Sequence, residues 1–444
     1  MKDLATYDEI KQQPITALEA GDFDAAFRGF RGAIARNYRL LDGSESQFID
    51  AFDIFAQISN HFANDEFVGK VRAVVAQPSD IQSLYDLGYM LYEEGLPDIG
   101  ATVLARADEV APGTPAIISE LVTSLEATNQ CSAAVDVLQK YPQLTSSQFF
   151  PAYQLAFNSV MSGQLDTARS AFETASKLAT TDDDAFMHKR IQGFLDRATT
   201  LGSVTPLDMN DLRGWHYVTT GGLLTHVSPF GYPEPMRGRY AMLQDSISTI
   251  RHGILDLHRI IQRKQLNIDR VVALNDRDSQ IVGSAVAKAL ELPLQPWSST
   301  AQASNTVVVS YDLSAIDDLT PYERLRTREP GELLFSHALC WVRSCPISPD
   351  VVTLLHQFNT APWEPQMRHD PEATELTYSD TDERPASVIA DEILSATADP
   401  NEGGDEDAPP LTDAFLDAIS GFPTRAVTRE IFWESSPVKS AQFL

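Results

Sequence analysis

Cysteine is scarce in this sequence, and positive charge is far outnumbered by negative. Against 62 acidic residues stand 34 lysines and arginines, a formal net charge of -28. A surface of that sign repels nucleic-acid phosphates and anionic bilayers, so neither is expected as a partner. Three cysteines, Cys131, Cys340 and Cys345, are too few and too scattered for a disulfide framework, which points to a reducing, cytoplasmic setting. No apolar run approaches the ~18 residues of a membrane span, and the opening "MKDLATYDEIKQQPI" has no secretory stretch. Walker, G-x-G-x-x-G and G-x-S-x-G motifs do not occur, which removes the commonest signatures of nucleotide binding and serine hydrolysis. What remains is a chain of 444 residues, 43% hydrophobic and 22% charged, of ordinary globular composition and too long for a single core.

Self-similarity is the first positive signal. Leu84, Leu87, Gly88 and Leu91 are followed by Gly95, Gly100, Leu104, Ala107 and Pro112. A weaker copy lies 34 residues on, in Ile118, Leu121, Leu125, Ala134 and Leu138. A third comprises Leu155, Ala156, Gly163, Ala168, Phe172 and Ala175, and Gly21, Ala26, Phe30 and Ala33 repeat the second half near the N-terminus. Small residues let paired helices approach, and larger ones fill the space beside them. The pattern resembles the tetratricopeptide repeat (TPR), over residues 1–200. The first helix reads as short and interrupted by Pro14, residues 41–80 as a divergent helical pair, and residues 183–200 as a capping helix. The resemblance implies a groove for a protein or peptide partner. A purely bracing role is the alternative, and no regular set of Lys and Asn positions marks a carboxylate clamp.

The texture changes after residue 200. Gly214, Gly221, Gly222, Gly231 and Gly238, with Pro229, Pro233 and Pro235, break long helices, while aromatic residues accumulate. That density either seals the next domain or lines a pocket, with Trp215, His216, His226 and Tyr240 as candidate lining residues. The stretch 246–264 places Ile247, Ile250, Ile254, Leu257, Ile260 and Ile261 on one helical face. "RVVAL", "PLQPW", "NTVVVSYDL" and "GELLFSHALCWVRS" read as strands, so residues 205–365 are expected to form an α/β domain with a largely parallel sheet.

The loop "NDRDS" joins the first of these strands to the helix "QIVGSAVAKALEL", with Asp278 or Ser279 as its expected cap. Asn275 to Ser279, then Ala285, Ala287, Leu290 and Pro293, resemble the pyrophosphate turn of type I phosphoribosyltransferases. The resemblance implies a phosphate loop at Asp276, Arg277, Asp278 and Ser279, with Asp312 and Ser314 after the next strand. It departs from the family where two adjacent acids and a Thr-Gly loop belong, because "YDLSAIDD" has one acid and no such loop. Two carboxylates at a helix N-terminus also repel phosphate unless a hard cation such as Mg²⁺ intervenes. A helix cap with a local Arg–Asp pair is the other account of the loop.

His337, Cys340, Cys345 and His356 have no standard zinc spacing and read as buried side chains, so no metal ligand set is assigned. Residues 369–410 are acidic, with thirteen Asp or Glu against Arg384 between 370 and 407, and are expected to be disordered apart from a short helix at "ASVIADEIL". Residues 411–444 supply docking elements through Phe415, Leu416, Ile419, Phe432 and Trp433. Two functions remain open. One is a TPR-mediated interaction or scaffold protein with a non-catalytic α/β domain, no catalytic residues and no cofactor. The other is a Mg²⁺-assisted enzyme or binding domain for a phosphorylated sugar or nucleotide.

Overall fold

A computed structural model describes residues 6–230, 236–299, 304–368, 376–397, 407, 409–419, 422 and 428–440. The chain divides into two compact units, Met1–Ile191 and Gln192–Leu444. Among the described residues, no helix is long and apolar enough to cross a membrane.

The first unit is helical. Its packed pairs are α1 (Tyr7–Glu19) with α2 (Phe23–Arg36), α3 (Glu45–Ser59) with α4 (Asp65–Ala76), and α5 (Ile81–Glu93) with α6 (Pro97–Val110). Next come α7 (Pro115–Ala127) with α8 (Cys131–Lys140), the short α9 (Pro142–Ser147), α10 (Phe149–Met161) with α11 (Leu165–Leu178), and α12 (Asp182–Leu201), within which the division falls. The starts of α2 to α5 are set by Asp22, Ser44, Asn64 and Asp80, whose side chains accept the amide three residues on. The first helix does not stop at Pro14. It continues through the proline, whose ring is buried beside Gly29 of α2.

One turn recurs inside four of the pairs. Gly21, Gly95 and Gly163 hold left-handed backbone at φ 73°, 74° and 77°, and Asn129 takes the same position at 58°. The next residue's N–H then reaches back five residues, from Asp22 to Ala17, Leu96 to Leu91, Gln130 to Leu125 and Gln164 to Ser159. Positions 95, 129 and 163 are 34 residues apart, so the array is repetitive in backbone as well as in sequence. Close packing explains the small residues. A Cβ on Gly88 would lie 2.5 Å from Leu104 Cγ, and one on Gly100 would lie 3.0 Å from the Gly88 carbonyl oxygen.

The second unit is built on a parallel sheet of β1 (Leu223–Leu224), β2 (Tyr240–Gln244), β3 (Arg270–Ala273), β4 (Leu294–Pro296), β5 (Thr306–Asp312), β6 (Leu333–Cys340) and β7 (Val351–Thr360). The order is β1-β7-β6-β5-β3-β4, and β2 lies against the C-terminal half of β7. Every pairing in this sheet is parallel. Strands β5 and β6 are buried almost throughout, which is why they read as apolar runs. From β3 the chain crosses to β4 on one side and then returns to β5 on the other. That reversal makes a switch point between β3 and β5.

Helices α13 (Leu212–Thr220), α14 (Ile247–Arg263), α15 (Arg277–Leu290), α16 (Thr320–Leu325), α17 (Ala386–Ser395) and α18 (Pro409–Ala418) complete the unit, with a short antiparallel ribbon of β8 (Met367–Arg368) and β9 (Thr377–Tyr378). Two glycines set helix-to-sheet distances. A Cβ on Gly253 of α14 would lie 2.3 Å from Thr353 Oγ1, and one on Gly283 of α15 would lie 2.4 Å from Ala273 Cβ.

The acidic segment is partly docked. Ile389, Ala390 and Ile393 of α17 are buried, Lys288 of α15 pairs with Asp391 at 2.5 Å, and the Asp407 side chain is 5% exposed. Apolar side chains at helical spacing give α17 enough to bury despite its acidic surroundings. Residues 369–375, 398–406 and 408 lie outside the described residues, and so does the expectation of disorder there. The basic face of α14 receives α18. Arg263 pairs with Asp413 and Asp417, and the Lys264 ammonium donates to the carbonyls of Leu416 and Ile419.

Near the C-terminus, Arg429 is buried between Glu332 and Asp350, at 2.7 Å from each. Arg324 and Arg328 reach the same two carboxylates from the side. Burial works against the Arg429 charge, but Asp350 and Glu332 outweigh it and hold the guanidinium above its ordinary range. This network ties residues 428–440 to the edge of β6.

Candidate functional site

The carboxyl ends of β3, β5 and β7 surround a cleft of about 270 Å³ at the switch point, where ligands of open α/β sheets bind. Asp276 and Asp278 come from the turn after β3, Tyr311 and Asp312 from the end of β5, and Asn359 and Glu364 from β7 and its exit. Four carboxylates therefore share one small space.

Their surroundings differ. Asp276 is exposed and is the N-cap of α15, accepting the Ser279 amide at 2.8 Å. The helix begins at Arg277, two or three residues earlier than a cap at Asp278 or Ser279 would place it. Asp278 is released for another contact and accepts the Trp363 indole N–H at 2.6 Å. Its burial raises the carboxyl above the usual range, and the Trp363 hydrogen bond only partly offsets that.

Arg277 is exposed. Instead of pairing with its neighbouring aspartates, it donates to the carbonyls of Asp382 and Arg384, just before α17. Ser279 is fully buried and accepts the Tyr311 amide at 3.0 Å, tying α15 to β5. It is a structural hydroxyl.

Asp312 closes a local turn. Its Oδ1 accepts from the Ser314 amide at 2.9 Å and the Ser314 hydroxyl at 2.5 Å, while Oδ2 meets His356 Nε2 at 2.9 Å. Burial alone would raise this carboxyl, but the hydrogen bonds from His356 and Ser314 more than compensate and hold it below its ordinary range. The Ser314 hydroxyl also accepts the Cys340 amide at 2.8 Å, so it is committed to the fold rather than offered to a phosphate. Beneath the cleft, Asp245 accepts from Tyr311 at 2.8 Å and meets His337 Nε2 at 3.0 Å. Burial and the neighbouring Asp245 push the Tyr311 phenol well above its usual value.

The structure thus brings together Asp276, Asp278 and Asp312, with Ser279 and Ser314 behind them. It adds Asn359 and Glu364, which the sequence reading missed. A signal for Asn359 was present: "VVTLLHQFNT" opens on an apolar stretch, and a strand there would end at the same edge of the sheet. His337 and His356 serve the aspartates Asp245 and Asp312, not Cys340 or Cys345, and both cysteines are buried.

The four candidate lining residues do not meet at the cleft. Trp215 is 1% exposed and donates to the Asp208 carbonyl. His216 is buried near Phe432, and burial with Arg239 nearby lowers its imidazole to about 3, so it is neutral. His226 and Tyr240 form a different cluster. His226 Nε2 lies 2.7 Å from the Tyr240 hydroxyl, and Nδ1 lies 2.7 Å from Asp407. One atom from each of His226, His252 and Asp407 lies within 4.8 Å of the others, a spacing that a metal ion could bridge. Asp407, however, accepts Arg213 at 2.5 Å and the Val227 amide at 3.1 Å. The guanidinium already supplies the positive charge, and Asp407 acts as a latch that fastens the acidic segment beside β1.

The cleft's oxygen-rich donors suit a hard cation in kind. Asp276, Asp278 and Glu364 would be its ligands, because both Asp312 oxygens have partners. The charge suits a bare phosphate poorly. A scan against protein-family models and a search of curated proteins both return no match to this sequence.

Proposed function

We propose that this protein is a cytoplasmic interaction protein, in which the helical array, read as TPR-like, engages a protein or peptide partner and the α/β domain is a non-catalytic body. The observation that carries the reading is a stack of hairpins with one recurring turn, whose first helices keep large side chains at the surface. Tyr89 of α5 is 46% exposed and Phe150 of α10 is 42% exposed. Exposed aromatics on two of the repeats suit partner recognition better than bracing. The phosphoribosyltransferase-like resemblance of the α/β domain is read as one of topology, since Ser279, Ser314 and Asp312 hold the fold together.

The test is capture by the immobilised full chain from its native host, compared with Tyr89→Ala/Phe150→Ala. A partner bound by the wild type and lost by the variant is expected. Equal capture by both would overturn the assignment to the array.

One observation favours a second reading, the cleft of four carboxylates at the switch point. A Mg²⁺ ion held by Asp276, Asp278 and Glu364 would supply the positive charge that a phosphorylated sugar or nucleotide needs there. Thermal shift with phosphoribosyl pyrophosphate and nucleotides, with and without Mg²⁺, separates the two. A Mg²⁺-dependent stabilisation lost in Asp278→Asn would replace the first reading with the second.

A further inference from the structure

Several carboxylates in the helical unit are matched by a cation. Asp50 pairs with Lys11, Glu9 with Arg36, Asp98 with Arg31, Asp108 with Lys140, and Glu45 and Glu109 with Arg106. One acidic face is not. Glu93 ends α5, and Glu120 and Glu126 lie six residues apart on α7. Among the described residues none of the three forms an ion pair with a lysine or arginine. Burial and the nearby Glu93 raise the Glu120 carboxyl, and burial together with Glu93, Glu126 and Glu120 raises the Tyr92 phenol, which places these groups near one another. Tyr85, Tyr89 and Tyr92, at i, i+4 and i+7 of α5, line the same side.

The neighbouring helix α10 adds a second, independent observation. Asn158 is fully buried, and its two amide hydrogens are assigned by their partners. One goes to Glu126 Oε1 at 2.5 Å and the other to the Gln154 carbonyl at 2.8 Å. The Asn158 Oδ1 is therefore an acceptor, buried and without a donor. Gln154, 1% exposed, turns its amide nitrogen toward Thr123 of α7 and leaves Oε1 buried in the same state. Around Glu126 the protein collects acceptors and supplies one donor. Buried acceptors without donors are rare enough to need a reason.

We propose that this face grips the basic side chains of an extended partner segment, with a lysine or arginine head seated on Glu126 and its stem lying along the tyrosines of α5. An ammonium or guanidinium brings the several donors that the site lacks. Tyrosine faces attract such cations and also cover their aliphatic stems. The length fits a peptide better than a lone ion. Tyr85 and Tyr92 are separated by about 10 Å of helix rise, which three extended residues span. Asn158 is a positioning residue that fixes the Glu126 carboxylate through its hydrogen bond.

This inference rests on the interaction reading above and sharpens it. The test uses the full chain and three fluorescent ten-residue peptides, Lys/Ser, Gly/Ser and Glu/Ser, followed by anisotropy at about physiological salt. The Lys/Ser peptide is expected to bind, and Glu120→Gln/Glu126→Gln to weaken it about tenfold or more. Because the whole chain is acidic, the control removes two exposed carboxylates elsewhere, as Glu19→Gln/Glu66→Gln, and is expected to change the affinity less than about twofold. Tyr89→Ala is expected to weaken binding without altering the melting temperature.

Equal weakening by the control pair would mean diffuse attraction and would overturn the proposal, as would absence of Lys/Ser binding or a preference for the other peptides. The capture experiment does not depend on charge. Capture that needs Tyr89 but shows no basic preference overturns this inference alone, whereas capture indifferent to Tyr89 and Phe150 overturns both.

Discussion

Glu126 shows how one side chain can make stability depend on pH. Burial raises its carboxyl from 4.5 to about 7, against the smaller opposing effect of the Asn158 hydrogen bond. The folded chain keeps this proton through a range in which the unfolded chain has lost it. Between about pH 4.5 and 7 the native state therefore binds more protons, and stability falls as pH rises. Glu126→Gln removes the titration. The variant should exceed the wild type by on the order of 1–3 kcal/mol at about pH 8 and match it near pH 4. Urea unfolding followed by helical circular dichroism at both pH values checks this. A constant difference across the range would refute it.

Arg429 makes the opposite case. Arg429→Met leaves Glu332 and Asp350 buried with only Arg324 and Arg328 at their flanks. Removing one member of such a network costs about 3 kcal/mol or more. Denaturation of the second unit should move by that amount, and a change under 1 kcal/mol would show the network to be ornamental. At this scale the sequence was only half legible. The residue types around "NDRDS" were identified as a group, yet their roles depend on partners such as Trp363, His356 and Cys340, which are distant in the chain.

Gly283 lies at the boundary between residue and element. Glycine to alanine inside a helix ordinarily stabilises by up to about 1 kcal/mol. Here the new Cβ would lie 2.4 Å from Ala273 Cβ, an atom fixed to the backbone of β3. Helix α15 would have to lift from the sheet, so Gly283→Ala should destabilise by about 1–3 kcal/mol, reversing the usual sign. A melting temperature at or above the wild type would disprove this tight approach.

Elements with strong local signals were the legible ones. The helical pairs, α14, α15, β3, β5 and β6 follow from apolar periodicity and caps. Strand β7, the longest in the sheet, was not recognised although its run is apolar, and β1 and β2 carry almost no signal, being two and five residues long. Pro14 misled because a proline inside a helix usually ends it. Here α1 and α2 hold the proline in a buried contact.

For the whole molecule, charge is the dominant quantity. A net charge of -28 opposes compaction through self-repulsion, and salt screens it over about 10 Å at 0.1 M. Raising sodium chloride from about 0.02 M to 0.5 M should therefore raise the unfolding midpoint of the chain. Insensitivity to salt would mean that the local pairs, such as those of α14 with α18, already neutralise the repulsion.

The position of β7 also has a consequence for synthesis. Strands β1 and β2 both need β7 as their partner, more than a hundred residues later in the chain. The helical pairs close on neighbours a few residues away and need nothing downstream. As the chain leaves the ribosome, the array can acquire its structure while the α/β half still waits with two strands unpartnered. A later stretch, carrying Arg429, then neutralises the carboxylates beside β6 and the β7 entry. A ribosome stalled before residue 351 would hold a finished first unit joined to an unfinished, strand-exposing second one, which is the stage at which this protein most needs protection from aggregation.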